Sequence, residues 1–381
     1  HDATKMRNLV SYGLARAMQL PYAIDCENVD MYVNNEFRGI YLICEHIEAG
    51  KNRAELSSHY DPGGFLLETI DGDRLIKSQD SSFGETDIPA DEARELLKNY
   101  DINNYFELSD GTYFEIKYPE TVFDTDVKHA SEIITHAEEL IDSCDTKADY
   151  KELQDYIDTD SLAAMYLMNM ITGNHDANKY STYYWIESDT DKLFAGPAWD
   201  YDNCLGNRPY LNGSIEYLGY NKGFPERLGD NEYFMDAVKN KFFSQSLPYI
   251  ENLMTGGEID KLKEHIEPSV IKDRIFWGDT VYNSNIDTGN YDESVRYLKY
   301  YIEEKSALVN SYVSDPDSYH KVYIDDDYHG HSCLIKDGEC LSYELLQYLK
   351  TAYGCDSFTF VNGCPFWEGY PVFYDLTIYT K

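Results

Sequence analysis

The longest apolar stretch of the chain, Ala163 to Ile171 with Asn169 alone inside it, constrains the fold more than any other segment. It lies within a run of helical periodicity from Asp149 to Thr172. A helix this apolar has to be buried, and the stretch is far too short to span a bilayer. The sequence therefore predicts an internal helix. Gly173-Asn174-His175-Asp176 follows, then an aromatic strand, Thr182 to Ile186, a turn, and a partner strand, Lys192 to Ala195.

Other segments arrange themselves around this helix. Thr4 to Leu20 carries Met6, Leu9, Val10, Leu14, Ala17 and Met18 at helical spacing, with Thr4 as candidate N-cap and Pro21 ending the run. Val29, Met31 and Val33 then set a period of two. With the turn Asn34-Asn35-Glu36 and the run Gly39 to Ile43 they read as a β-hairpin. Gly63 to Thr69 and Tyr113 to Tyr118 read as a second strand pair, and the polar stretch Asp71 to Asp91 as a surface excursion. Asp126 to Ser143 is helical, and helices dominate again from Tyr233 to Tyr312. Beyond Asp315-Pro316-Asp317, short β-like runs (Lys321 to Ile324, Ser357 to Val361, Val372 to Tyr379) surround one helix, Tyr343 to Tyr353.

Composition excludes several functions. The 381 residues exceed what one core usually serves. An apolar fraction of 43% with 36 tyrosines supplies enough non-polar surface to rule out a disordered chain. A net charge of −37 repels phosphate backbones and anionic headgroups, so neither nucleic acid nor a membrane surface is expected as partner. A basic, Ser/Thr-rich protein substrate suits that charge. No segment reads as a membrane span or signal peptide. His1 stands where a start Met would, so the sequence is expected to begin part-way through a longer precursor. The eight cysteines form no CxxC pair, which gives no zinc or thioredoxin-like signature. Those from Cys333 onward permit disulfides in the tail. Cys26, Cys44, Cys144 and Cys204 suit free buried thiols equally well, so the cysteines decide no redox compartment.

The chemistry concentrates in two short segments. Asp176 leaves the end of the buried helix. Asp200, in Pro197-Ala198-Trp199-Asp200-Tyr201-Asp202, leaves the end of a strand whose hairpin partner starts just after Asp176. The hairpin can bring both carboxylates into one cleft, as metal-bound phosphates require. Protein kinases use a loop Asp as acceptor of the substrate proton, a nearby amide for metal and a second Asp past a hairpin for Mg²⁺. Asp176, Asn178 and Asp200 fall in that order. Two or three acids and an amide suffice for Mg²⁺, which prefers hard oxygen ligands. His175 is read as a hydrogen-bonded structural histidine, and Trp199 with Tyr183-Tyr184-Trp185 as core. Asp325-Asp326-Asp327 lacks the spacing of a calcium loop and reads as a solvated turn.

Asn174-His175-Asp176 and the segment from Pro197 to Asp202, with Gly206, resemble the paired signatures of the spore-coat CotH kinase family. The resemblance extends to Met6-Arg7-Asn8, to Asn34-Asn35-Glu36-Phe37-Arg38-Gly39-Ile40-Tyr41-Leu42 with Glu45, to Gly63 through Glu68, and to Tyr291 through Val309. It implies an α+β fold of the atypical bilobal protein-kinase-like type, its N-terminal lobe incomplete, followed by a small C-terminal β-rich α+β module. The expected divisions are 1–120, a mainly helical lobe at 121–314, and 320–381. The resemblance also implies ATP and Mg²⁺ or Mn²⁺ as cofactors and phosphoryl transfer to Ser or Thr of a secreted or surface partner. Asp176 would be catalytic, Asp200 a metal ligand and Asp202 an additional or alternative one. Glu45 would lie where adenine is held.

Two departures stand out. Family members often carry an Asn where Ser181 and Thr182 stand, so Asn178 supplies the second-metal amide or none does. They also carry a strand with a nucleotide-contacting Lys before the first helix, and this sequence begins at the helix. A kinase-like binding module of an extracellular assembly is therefore a second expectation. A third is a metal-dependent glycosyltransferase using Asp200-Tyr201-Asp202 as a DxD motif, although no βαβ alternation precedes it. Phe366-Trp367-Glu368-Gly369 and Asp375 to Tyr379 resemble the small β-rich repeats of Gram-positive surface proteins, which agrees with a secreted or cell-surface location.

Overall fold

The computed structural model describes residues 2–50, 53–54, 56, 64–84, 88–100, 102–207, 214–220, 223–278, 290–325 and 331–381, and the fold is α+β. Helix α1 (Arg7–Ala17) opens the chain and buries Val10, Tyr12, Leu14 and Ala15. Its start is capped differently from the expectation for Thr4. Met6 occupies the cap position, and the buried Asp2 carboxylate accepts from the Thr4 and Arg7 N–H groups at 2.9 Å each. Burial alone would raise the titration point of Asp2, but the Arg7 guanidinium and these N–H groups hold it below the usual range. Strands β1 (Cys26–Val33) and β2 (Glu36–Cys44) form the expected hairpin, with Asn34 and Asn35 both at positive φ in its turn.

A five-stranded antiparallel sheet carries the molecule's centre. Strand β3 (Phe65–Ile70) leads into α2 (Gly72–Gln79) and α3 (Ala90–Leu97), and β4 (Tyr105–Glu107) and β5 (Tyr113–Tyr118) follow. Helices α4 (Asp124–Asp142), α5 (Lys147–Tyr156) and α6 (Thr159–Thr172) come next, then β6 (Thr182–Ile186) and β7 (Leu193–Ala198). The sheet order is β4-β5-β3-β6-β7. It draws strands from both sides of residue 120, and one hydrophobic core runs from Met6 to Leu334. The stretches 1–120 and 121–314 thus share a core. The polar region expected as a surface excursion instead folds two short helices, α2 and α3. Leu75, Ile76, Ala93 and Leu97 pack there with Tyr113 in a small core of their own.

The periodic run from Asp149 to Thr172 splits in two. Ile157 is extended and bridges Leu193, and the Asp158 carboxylate then caps α6 by accepting from Ser161 N–H at 2.7 Å. The apolar stretch is buried on all sides as expected, packed by α1, β7, and the later elements α7 (Phe224–Arg227), α8 (Glu232–Lys241) and α11 (Tyr291–Ser314). Gly173 stops it in the left-handed region (φ 60°). Between α8 and α11 lie α9 (Leu247–Met254) and α10 (Glu258–Trp277).

The tail forms β9 (Tyr319–Asp325), β10 (His331–Lys336), α12 (Tyr343–Tyr353), β11 (Phe358–Thr359), β12 (Pro365–Phe366) and β13 (Leu376–Thr380). Its sheet also takes in β8 (Tyr217–Tyr220), from well before residue 320, in the order β12-β11-β13-β9-β10-β8. Tyr217 joins Val322, Ile324, Ile335, Leu345 and Ile378 in the core of this module. The acidic turn read at Asp325-Asp326-Asp327 lies mostly outside the described residues. Among the described residues no helix is long and apolar enough to cross a membrane.

Candidate active site

Two chain reversals meet beside α1. The first follows α6. Asn174 Oδ1 accepts from Asp176 N–H at 3.0 Å, and the Asp176 carbonyl accepts from Lys179 and Tyr180 N–H at 3.1 and 2.8 Å. Asp176 is thereby fixed in a tight turn with its side chain partly open to solvent. The second follows β7. Asp200 adopts φ 61°, a region β-carbon residues seldom occupy and which the surroundings here enforce.

The first helix supplies that enforcement. Asp200 N–H donates to Tyr12 Oη at 3.2 Å, and Tyr201 N–H donates to Asn8 Oδ1 at 2.8 Å. The Tyr12 ring stacks on Trp199 at 6.3 Å and meets the edge of Tyr201 at 6.5 Å. Further along, Leu205 N–H donates to the Thr172 carbonyl at 2.7 Å, tying the end of one reversal to the start of the other. Gly206 follows at φ 77°, where a β-carbon would meet Tyr301 Cδ2 at 2.7 Å, so only glycine fits. Asn207 Nδ2 donates to the Asp202 carbonyl at 2.7 Å.

This arrangement brings Asp176, Asp200 and Asp202 together. The Asp200 carboxyl is pushed up to about 6, first by desolvation, then by the charges of Asp202 and Asp176 and a hydrogen bond with Asp202. The residue nonetheless reaches solvent. Desolvation and exposure pull in opposite directions, whereas the like charges act in either setting. Desolvation is the larger cause of the rise, and the crowding of carboxylates adds to it. Arg74 opposes it weakly; its guanidinium lies 3.5 Å from the centroid of the Tyr180 ring. Lys179 lies 4.9 Å from the same ring centroid, and the Tyr180 hydroxyl hydrogen-bonds the Asp71 carboxylate. Tyr183, raised by burial and hydrogen-bonded to Glu68, also feels the charge of Asp200.

The other expected site residues, Asn178 and Glu45, have partners of their own. Asn178 is buried at φ 62°, and its Nδ2 donates to Glu226 Oε2 at 2.7 Å. A β-carbon on Gly223 would strike that amide at 2.1 Å. Asn169 Nδ2 donates to the other oxygen, Glu226 Oε1, at 2.9 Å. Desolvation raises the Glu226 carboxyl to about 7, the two amides and Lys321 opposing it. Glu45 closes the base of the β1–β2 hairpin, where its Oε2 accepts from Asp25 N–H at 2.9 Å.

The sequence singles out neither Arg74, Tyr12 nor Glu226, and it marks Asn8 only as part of the Met6-Arg7-Asn8 motif. The lone Asn169 in an apolar run was a signal for Glu226, since a buried amide demands a polar partner. His175 is structural as expected: its Nδ1 lies 3.2 Å from Tyr217 Oη, and its ring stacks on His331 at 5.1 Å.

The donor set fits a hard divalent cation. Crowded carboxyls with a raised titration point are ionised by a bound cation, which removes their mutual repulsion. Among the described residues no group of three or more His, Cys, Asp or Glu could hold a metal unaided. One or two carboxylates completed by phosphate oxygens and water is the pattern Mg²⁺ takes. The model of a family described as CotH kinase protein matches residues 1–309. No curated protein matches the chain.

Proposed function

The chain belongs to the CotH kinase family, and from that membership we propose that it transfers the γ-phosphoryl group of ATP to Ser or Thr of a partner protein outside the cell or at its surface. The observation that supports this best is the grouping of Asp176, Asp200 and Asp202, where desolvation first and the neighbouring carboxylates second raise Asp200 to about 6 at a position that reaches solvent. Asp200 and Asp202 would hold one Mg²⁺ or Mn²⁺, and the ion would neutralise charge on the β- and γ-phosphates. Asp176 accepts the proton of the acceptor hydroxyl. Arg74 and Lys179 supply cationic charge at the cleft, the part a nucleotide-contacting Lys plays elsewhere in the family. Asn178 Nδ2 donates to Glu226, which holds the amide in place and leaves its oxygen as the atom that would meet a second metal ion. The net charge of −37 suits a basic acceptor.

A glycosyltransferase reading of Asp200-Tyr201-Asp202 finds less support, since β1 to β7 pair antiparallel and no βαβ unit precedes Asp200 among the described residues. A basic protein incubated with γ-labelled ATP and Mn²⁺ tests the proposal. Label on Ser or Thr is expected with the wild-type chain. Asp176→Asn is expected to lose at least about 100-fold in transfer while binding nucleotide as the wild type does. Loss of ATP binding in that variant would make Asp176 a metal ligand instead of a base.

A further inference from the structure

The base of the β1–β2 hairpin carries two cysteines in register, Cys26 opposite Cys44. Both are partly buried thiols. The next pair outward, Asp25 and Glu45, is hydrogen-bonded through Glu45 N–H to the Asp25 carbonyl at 2.9 Å. Hydrogen-bonded and non-hydrogen-bonded pairs alternate along an antiparallel ladder, so Cys26 and Cys44 occupy a non-hydrogen-bonded position. There the Cα atoms approach to about 4.5 Å, inside the range of roughly 4.4–6.8 Å that a disulfide spans. The side chains lie on the same face, and the two thiols are hydrogen-bonded to each other.

We propose that Cys26 and Cys44 form a cross-strand disulfide in an oxidising compartment, stapling the base of the N-terminal hairpin. Burial pushes the Cys26 thiol up to about 12 and raises Cys44 as well. Neither is therefore a poised nucleophile, and the pair has the character of a structural bond rather than a catalytic one. The oxidant is a small-molecule disulfide such as oxidised glutathione. One cysteine thiolate attacks its sulfur, releasing one glutathione thiolate and leaving a mixed disulfide. The second cysteine thiolate attacks the protein sulfur, releasing the other. One S–S bond forms and one breaks, two electrons pass to glutathione, and the two protons leave with its thiols. The staple sits beside the Tyr12 phenol, which feels both thiols and accepts the Asp200 N–H. The bond itself does not depend on the proposed phosphoryl transfer.

The test is a non-reducing peptide map of the reduced full chain after incubation with oxidised glutathione and trapping of free thiols with N-ethylmaleimide. The conditions are those in which the exposed Cys340 and Cys364 take up glutathione. The expected result is one linked species joining the Cys26 and Cys44 peptides, lighter by two hydrogens, with both positions losing their label together. Recovery of both as labelled thiols overturns the proposal, as does a link from either to any other cysteine. In Cys26→Ala the linked species has to disappear while Cys44 stays unlinked to any protein cysteine; a new protein link from Cys44 would show that register does not choose the pair.

Discussion

Glu226 holds the turn that follows α6 through Asn178 and the central helix through Asn169. Its folded-state carboxyl titrates near 7 against 4.5 for a free glutamate. Between those values the unfolded chain has released its proton while the folded chain keeps it, so stability falls as pH rises through that window. Glu226→Gln removes this term. Its unfolding free energy in urea is expected to match the wild type near pH 5 and exceed it at pH 8, by on the order of 1–3 kcal/mol. An equal difference at both pH values would mean that ionisation of Glu226 is not the cause. At this scale the sequence showed the acids but not their supports. Asp176, Asp200 and Asp202 stood out because each follows an apolar element. Tyr12 and Asn8 did not, because their role depends on a helix far away in sequence touching the segment after β7. Asn178 and Glu45 looked equally fit for the cleft, and only the packing of Glu226 and the hairpin base shows where they turn.

Helices and strands were legible where their period was long. The hairpin, the central helix, the β6–β7 pair and α12 come from uninterrupted patterns. The helices at 72–79 and 90–97 stayed hidden because each carries only a few apolar residues in a polar stretch. Strand β8 was hidden for a different reason: it pairs with β10, more than a hundred residues later, and no local pattern reports that. This capture ties the tail to the turn after α6. Tyr217 Oη lies 2.5 Å from His331 Nδ1 on β10 and 3.2 Å from His175 Nδ1, next to Asp176. Lys305 of α11 anchors the same segment by donating to the Ile215 and Tyr217 carbonyls. Tyr217→Phe removes the shared hydroxyl and keeps the ring. It is expected to cost about 1–3 kcal/mol in urea denaturation, since the buried His331 and the partly buried His175 both lose this partner. A change within about 0.3 kcal/mol would show that ring stacking alone holds the junction.

Across the whole molecule, the α+β class and the family were readable from a handful of motifs in order, while the distribution of the core was not. The sheet crosses residue 120 because β3 must pair its backbone along both edges, and it finds partners in β5 on one side and β6 on the other. The carboxylate cluster at the meeting of α1, α6 and β7 is proposed as a site for metal-bound ATP. Calorimetric titration of the chain with ATP in Mn²⁺, wild type against Asp200→Ala, tests it most directly. The account predicts saturable binding by the wild type that disappears without Mn²⁺ and falls at least about tenfold in Asp200→Ala. Equal affinity in both proteins, or no binding by the wild type, would contradict it.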